Sequence, residues 1–578
     1  METDNQNRNR RVILVKKRSG IARYDEYIKK SGLESKSYQR EGVEFCLRRE
    51  ADTAETAQTG VRGGIIADEM GLGKTIMMMG LILANMAAYR RTLIVVPVAL
   101  IAQWVAQIKR TIIDTGVKPD LSVFVFHGSA GKRRVVLSED TDNIVWCHRP
   151  PKNASGRAID IVITTYGCVA MEEPAQPTRK SSLSKPKTSA ALSLLTFRPD
   201  RVIFDEAHHL RNKNSRVFKG AMRVTAVGAG AAGSRRPSVW IVTGTPIQNK
   251  ISDLKSLCCV LGVGMGDLIS EERRRAVREM YVLRRTKVSV GMVAGVGGGG
   301  DGGECVCAPR LQSLKHYKSQ VPWGSENELT LSREIHREAK NTTDRAERLK
   351  LYTRMRQMCV WPALLEAGGG NDSDVAAESH GLTKEEYNIA VSKQSKIDRV
   401  AATMAAEAAE DAAEARKSLV FCHYRREMTR LREMLLRGDG GGCGEDDVAI
   451  IDGRVSGRER ERILAAAPKV LILQIRTCSE GLNLQSYSDV YFVSPHWNPC
   501  VEDQAIARCY RMGQTNGVRV FRFYMSDFVV EAAGAGAGAA AGAAGAGAAG
   551  AESISTLDHK CEEIQEKKRL LCEEFLCG

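Results

Sequence analysis

The sequence lacks any apolar run suited to export. The stretch Met1–Arg18 is polar and basic, and its only apolar run, Val12–Val15, is too short for the core of a secretory signal. One uncharged segment has membrane length, Ala532–Ala551, but it holds only Ala and Gly. With no Leu, Ile, Phe or Val it would transfer poorly into hydrocarbon, so it reads as a low-complexity insertion. A disulfide or zinc framework is missing as well. The 16 cysteines are scattered, and neither Cys258-Cys259 nor Cys305-Val306-Cys307 has a second pair at zinc spacing. Secretion, membrane partners and a zinc module are thus disfavoured, and reduced thiols in an intracellular compartment are expected.

What is present suits a soluble globular protein of at least two domains. At 578 residues the chain exceeds what one core usually serves, and its 43% hydrophobic and 26% charged residues are ordinary for globular domains. A net charge of +15 favours a polyanionic partner such as nucleic acid.

The densest chemistry lies at Gly64-Ile65-Ile66-Ala67-Asp68-Glu69-Met70-Gly71-Leu72-Gly73-Lys74-Thr75, an apolar strand running into a glycine turn that ends in Gly-Lys-Thr. Glycines let backbone N–H groups curl around phosphate oxygens, and a helix starting near Lys74 adds its positive dipole end. Lys74 supplies a full charge and Thr75 a hydroxyl for Mg²⁺. The strict pattern has glycine where Asp68 stands, so the loop is a variant. Upstream, Gln39 offers the paired donor and acceptor that could read an adenine edge.

Downstream, apolar strands alternate with helices: Thr92–Val96, a helix with Trp104, Leu121–Phe126, and Ile159–Tyr166 with Thr164 and Thr165. Alternation of this kind predicts a doubly wound α/β domain. After a loop rich in Pro, Ser, Thr and Lys (172–193), the strand Arg201–Phe204 delivers Asp205-Glu206-Ala207-His208 at its carboxyl end, where parallel sheets bind ligands. Asp205 is a candidate Mg²⁺ ligand, and Glu206 a candidate base for the attacking water. A further strand, Val239–Val242, runs into Thr243-Gly244-Thr245-Pro246.

The second half repeats the pattern. Strands are expected at Ser418–Tyr424, Val448–Gly453, Lys469–Gln474 and Val490–Val493. Ser479 and Gly481 follow the third, and His496-Trp497-Asn498-Pro499 follows the fourth, leading to Gln504, Arg508 and Arg511. A spacing of three would put both arginines on one helix face. Near the end, Ile554, Leu557, Cys561, Ile564, Leu571 and Phe575 recur at three- and four-residue steps and imply one amphipathic helix.

Phosphate loop, Asp-Glu-Ala-His, Thr-Gly-Thr-Pro and Gln-x-x-x-Arg-x-x-Arg-x-Gly-Gln, in this order, resemble the superfamily-two helicase-like ATPases. Within them the resemblance is to the Swi/Snf-related DNA translocases, whose phosphate loop typically reads Asp-Glu-Met-Gly-Leu-Gly-Lys-Thr. Tyr281–Lys287 resembles the family's basic segment leading out of the first lobe. The resemblance implies an α/β fold of two RecA-like doubly wound parallel-sheet lobes with helical insertions and a C-terminal brace helix. Its expected division is a basic flexible arm 1–35, an ATP-binding lobe 36–265, a linker and helical insertion 266–395, a helicase lobe 396–530, the Ala/Gly insertion 531–551 and the brace helix 552–578.

It further implies ATP and Mg²⁺ as cofactors. ATP would be bound by Gln39, Asp68, Glu69, Met70, Gly71, Leu72, Gly73, Lys74, Thr75, Gly481 and Gln504, with Mg²⁺ on Thr75 and Asp205. Lys74, Glu206, Arg508 and Arg511 would be catalytic, and His208, Thr243, Gly244 and Thr245 would couple hydrolysis to movement. Trp104, Thr164, Thr165, Ser479 and Trp497 would touch DNA. The expected partner is duplex DNA, with nucleosomes or transcription and repair proteins as what is moved, in a nucleus or a viral DNA-replication compartment. A strand-separating helicase, an RNA motor and an ATP-binding scaffold share the same motifs.

Overall fold

A computed structural model of the chain describes residues 19–51, 53–127, 135–136, 144–146, 160–171, 194–226, 236–292, 311–368, 380–410, 416–437, 443–475, 482–529 and 553–577. Gly481, Ser479, the Ala/Gly insertion, the first 18 residues and the loop 172–193 lie outside these. The chain divides into two compact units, 1–310 with 571–578, and 311–570. Among the described residues no helix is long and apolar enough to cross a membrane.

The first unit is built on a nine-stranded sheet. Its strands are β1 (Gly63–Ile66), β2 (Thr92–Val96), β3 (Val123–Phe126), β4 (Val135–Val136), β5 (Ile144–Trp146), β6 (Ile161–Thr165), β7 (Arg201–Asp205), β8 (Ser238–Val242) and β9 (Val282–Leu283), ordered β4-β5-β3-β6-β2-β7-β8-β1-β9. All pairings are parallel except β4 with β5. The apolar runs seen in the sequence are what a sheet covered on both faces requires. Ile66, Ile94, Ile203 and Trp240 pack into one core, and Ile65, Leu93, Val95, Val202, Phe204 and Ile241 into the other. Gly63 has no substitute at φ +104, because a Cβ there would lie 1.9 Å from the carbonyl oxygen of Val239 on β8.

Three helices bear on the site: α1 (Ser37–Glu50), α2 (Lys74–Ala84) and α3 (Ile101–Ile108). Helix α1 is fixed to the sheet through Glu50. Its carboxylate takes two 2.6 Å hydrogen bonds from Arg201, one of 2.9 Å from Trp240 Nε1 and one of 2.8 Å from Asn85.

The second unit holds a six-stranded parallel sheet, ordered β10-β15-β14-β11-β13-β12, from β10 (Leu314–Val321), β11 (Ser418–Cys422), β12 (Val448–Ile451), β13 (Val470–Gln474), β14 (Asp489–Phe492) and β15 (Val518–Met525). Two parallel-sheet α/β lobes are therefore present, as tandem RecA-like domains require. Strand β10 comes from the interval expected as linker and helical insertion. Its sequence Leu-Lys-His-Tyr-Lys-Ser-Gln-Val is mostly polar and exposed because it forms the sheet edge, so it carries no apolar signature. Helix α4 (Pro499–Ile506) starts at Asn498, whose side chain accepts from Cys500 N. Helix α5 (Leu557–Cys577) docks on this unit by residues 557–569, through a buried Lys396–Asp558 pair, Gln565 on Glu502 and Lys568 on the Trp497 carbonyl.

Candidate ATPase site

Strand order assembles the site in the first unit. Strands β7, β8 and β1 are neighbours, and Val242 is opposite both Asp205 and Ile66, so the three carboxyl ends finish level. Asp205, Thr243 and the phosphate loop are thereby gathered at one edge. The loop turns at Gly71 (φ +90) and Gly73 (φ +77), after which α2 begins at Lys74. The φ of +77 favours glycine at position 73, and a Cβ there would also lie 2.3 Å from Nε2 of Gln39. Gln39 is buried and donates to the carbonyl of Leu72 at 3.1 Å.

Lys74 Nζ donates to the backbone oxygens of Asp68 (2.9 Å) and Glu69 (3.2 Å). Burial pushes its ammonium pKa down, opposed by the carboxylates of Glu206, Asp68 and Asp205. A Cβ on Gly244 would sit 2.8 Å from Met70 Cγ and 3.5 Å from Lys74 Nζ, which places the Thr243–Thr245 turn against the loop. Thr243 N–H donates to the Ile66 carbonyl, and Thr245 N–H to Thr243 Oγ1 at 3.1 Å.

Asp205 Oδ1 accepts from the N–H of Glu206 at 3.0 Å, and Oδ2 accepts from the Trp104 indole at 2.8 Å. Burial first, then the Glu206 carboxylate, raises its pKa to about 6, against the Trp104 hydrogen bond and the Lys74 charge. Glu206 adopts φ +49, one of three non-glycine residues with positive φ among those described, a conformation that costs about 1–3 kcal/mol and concentrates at functional sites. Its Oε2 lies 3.4 Å from Nδ1 of His208, whose ring stacks on His209, which in turn stands 4.8 Å from Tyr166. Tyr166 closes the circuit by donating to the Asp205 carbonyl at 2.7 Å.

The donor set fits a Mg²⁺-bound nucleoside triphosphate. A glycine-shaped cradle precedes a helix N-terminus, a lysine stands in the loop, and Thr75 and Asp205 supply the hydroxyl and carboxylate that a hard cation prefers.

Several expected contacts are corrected. Trp104, expected against DNA, is 1% exposed, packs in the core and donates to Asp205. Thr164 and Thr165 are also buried: the first donates to the Phe126 carbonyl at 2.9 Å and the second caps the helix Tyr166–Ala170. Asp68 is 0% exposed with its carboxylate paired to Arg285. That partner was missed in the sequence because 217 residues separate the two.

In the second unit, Arg508 and Arg511 do not share a helix face, because α4 ends at Ile506. Beyond the helix end, the Arg508 carbonyl accepts from Leu484 N–H (3.2 Å) and the Cys509 carbonyl from Gln514 Nε2 (3.3 Å). Gln514 also donates to the carbonyls of Gln485 (3.0 Å) and Tyr487 (2.9 Å), which ties the arginine segment to the stretch after Gly481. Burial and the neighbouring Arg508 push the Arg511 pKa down. Gln504 is buried on α4. The Trp497 ring packs against Tyr352, with the Arg356 guanidinium 5.0 Å from its centroid.

Known proteins share both halves. Residues 38–271 match the SNF2-related domain and residues 395–513 the helicase conserved C-terminal domain. The chain is similar to DNA repair protein RAD5 of Saccharomyces cerevisiae, 23% identical over 82% of this chain and 52% of that one. It is also similar to the probable global transactivator of Orgyia pseudotsugata multicapsid polyhedrosis virus, 25% identical over 85% and 86%. To the human SWI/SNF-related matrix-associated actin-dependent regulator of chromatin subfamily A member 1 it is 25% identical over 81% and 40%. It thus spans about half of the yeast relative, less of the human one and most of the viral one. Among solved structures, the Sulfolobus solfataricus SWI2/SNF2 ATPase core in complex with dsDNA matches at 20% identity over 85% of this chain and 87% of that one, with a TM-score of 0.32. With both family domains matched in order around the motifs described, the chain belongs to the SNF2-related helicase-like ATPases.

Proposed function

We propose that the protein is a DNA-stimulated ATPase that translocates on duplex DNA to remodel or displace bound protein. The observation that supports this most is the common edge of β7, β8 and β1, where Lys74, Asp205, Glu206 and Thr243 converge. Lys74 would hold the β- and γ-phosphates, Thr75 and Asp205 would hold Mg²⁺, which would supply charge neutralisation on the phosphates, and Glu206 would orient and deprotonate the attacking water. Arg508 and Arg511 neutralise charge on the transferring phosphoryl group, an effect worth about 10³–10⁵ in rate in related chemistry. His208, Thr243, Gly244 and Thr245 sit between hydrolysis and movement. DNA is held mainly through phosphates, as the charge of +15 favours and as a motor indifferent to sequence requires.

The test is phosphate release with naked duplex DNA, single strands, duplex RNA and nucleosomes. Stimulation by duplex DNA, abolished by Glu206→Gln while ATP still binds, supports the reading. Binding without hydrolysis would make the protein a scaffold, and displacement of a labelled strand would make it a helicase. Preferential stimulation by RNA would overturn the choice of DNA.

A further inference from the structure

The phosphate loop contains two carboxylates, Asp68 and Glu69, in a place built to hold a polyanion. Uncompensated, they would repel it. Each is met by a cation from one distant stretch, residues 284–287, which follows β9. Arg285 Nε donates to Asp68 Oδ1 at 3.1 Å, and its Nη2 meets Oδ2. Lys287 Nζ lies 3.4 Å from Glu69 Oε1, and the Lys287 N–H donates to Oε2 at 2.8 Å. The backbone continues the pairing of β9 with β1: Ala67 N–H donates to the Leu283 carbonyl and Glu69 N–H to that of Arg285, both at 2.8 Å. Arg284 adds a 2.6 Å hydrogen bond to the Ala67 carbonyl.

Arg285 reaches further than the loop. It donates to the Tyr38 carbonyl, lies 5.5 Å from the centroid of that ring, and touches Met77 Sδ on α2. A Cβ on Gly42 would approach its Nη2 to 2.9 Å, so α1 leaves a glycine where the guanidinium passes. One side chain thereby joins the turn carrying Gln39, the phosphate loop and the chain leaving the lobe.

We propose that Arg285 and Lys287 are positioning residues for nucleotide: they neutralise Asp68 and Glu69 and hold the loop in its phosphate-receiving shape, so that affinity depends on the seating of residues 284–287. This rests on Gly71–Thr75 being the ATP cradle. Arg285 touches no phosphate and acts through Asp68 and the Tyr38–Gln39 turn.

The test uses the full chain and calorimetric affinity for ADP and a non-hydrolysable ATP analogue, with melting followed by circular dichroism. Arg285→Gln removes the cation and strands a buried carboxylate, and the expected loss of ADP affinity is about tenfold. Adding Asp68→Asn removes that stranded charge and restores most of the loss, a reversal that simple destabilisation would not produce. In steady state, KM rises while kcat stays within about threefold. Lys287→Gln, at the half-exposed Glu69, keeps the proposal open to test if Arg285→Gln does not fold, with an expected loss of about threefold. Unchanged ADP affinity in cooperatively melting variants would overturn the proposal, as would losses that add when Asp68→Asn is combined with Arg285→Gln. Failure of the unaltered protein to bind ADP would instead overturn the cradle itself.

Discussion

Trp104 donates its indole N–H to Oδ2 of Asp205 at 2.8 Å, across 101 residues of sequence. The bond favours the ionised carboxylate, which burial and Glu206 otherwise disfavour. Trp104→Phe keeps most of the ring volume and deletes the donor. The expected result is about a tenfold loss in kcat/KM for ATP and a higher Mg²⁺ requirement, with DNA affinity unchanged. Titrating ATPase activity against Mg²⁺, beside a DNA-binding isotherm, checks both halves. A large drop in DNA affinity with normal Mg²⁺ dependence would return Trp104 to the nucleic-acid surface.

Glu50 and Arg201 form an ion pair with both side chains at 0% exposure, and Trp240, Asn85 and Thr92 satisfy their remaining hydrogen bonds. Removing one partner leaves an uncompensated buried charge. Glu50→Ala is expected to destabilise the first unit by about 3–5 kcal/mol. Denaturant unfolding followed by tryptophan fluorescence reads this, since Trp240 bonds directly to Glu50. A change under about 1 kcal/mol would mean that the pair sets geometry without adding stability.

These two relationships also mark what the sequence could and could not disclose. Apolar runs ending in Gly-Lys-Thr, Asp-Glu or Thr-Gly-Thr reveal parallel strands and their functional ends, because burial on both faces and chemistry at the carboxyl edge leave local signatures. Trp104 leaves none: an aromatic on an amphipathic helix reads alike whether it faces a carboxylate or solvent. Strand β10 is polar because it is an edge, and beyond the end of α4 the Arg508 carbonyl is bonded by Leu484 and the Cys509 carbonyl by Gln514. Asp68 departs from the strict glycine pattern but matches the family's typical loop, and its partner Arg285 stands 217 residues away. Local pattern reports periodicity and turns, whereas pairings at long separation come only with the fold.

Gln514 places one amide nitrogen within hydrogen-bond reach of three carbonyls, those of Gln485, Tyr487 and Cys509. Gln514→Glu sets carboxylate oxygens against those carbonyls, so the segment bearing Arg508 and Arg511 loses its anchor. The expected outcome is a fall in kcat of about tenfold or more with ADP affinity unchanged, because the phosphate loop is untouched. Single-turnover hydrolysis beside ADP calorimetry separates the two. Weakened ADP binding with intact kcat would show that Gln514 does not position the arginines.

His336 in the second unit carries a pH dependence whose sign follows from its hydrogen bonds. Nδ1 donates to the Ser332 carbonyl at 2.7 Å, and Nε2 accepts from Leu557 N–H at 3.1 Å, so the neutral ring holds the start of α5. Burial lowers its pKa from 6.5 to about 4, with Lys560 acting in the same direction and Ser332 and Asp527 opposing. The unfolded chain therefore binds this proton more readily than the native one. Stability is fully present above about pH 6.5 and is lost as pH falls towards 4, by on the order of 3 kcal/mol. Protonation also removes the acceptor for Leu557, so the protection of that amide, corrected for its intrinsic exchange rate, should fall selectively at pH 4. His336→Gln should flatten the dependence while keeping an acceptor for Leu557. Unchanged protection of Leu557 between pH 7 and pH 4, after correction for intrinsic exchange, would show that this histidine does not control the docking of α5.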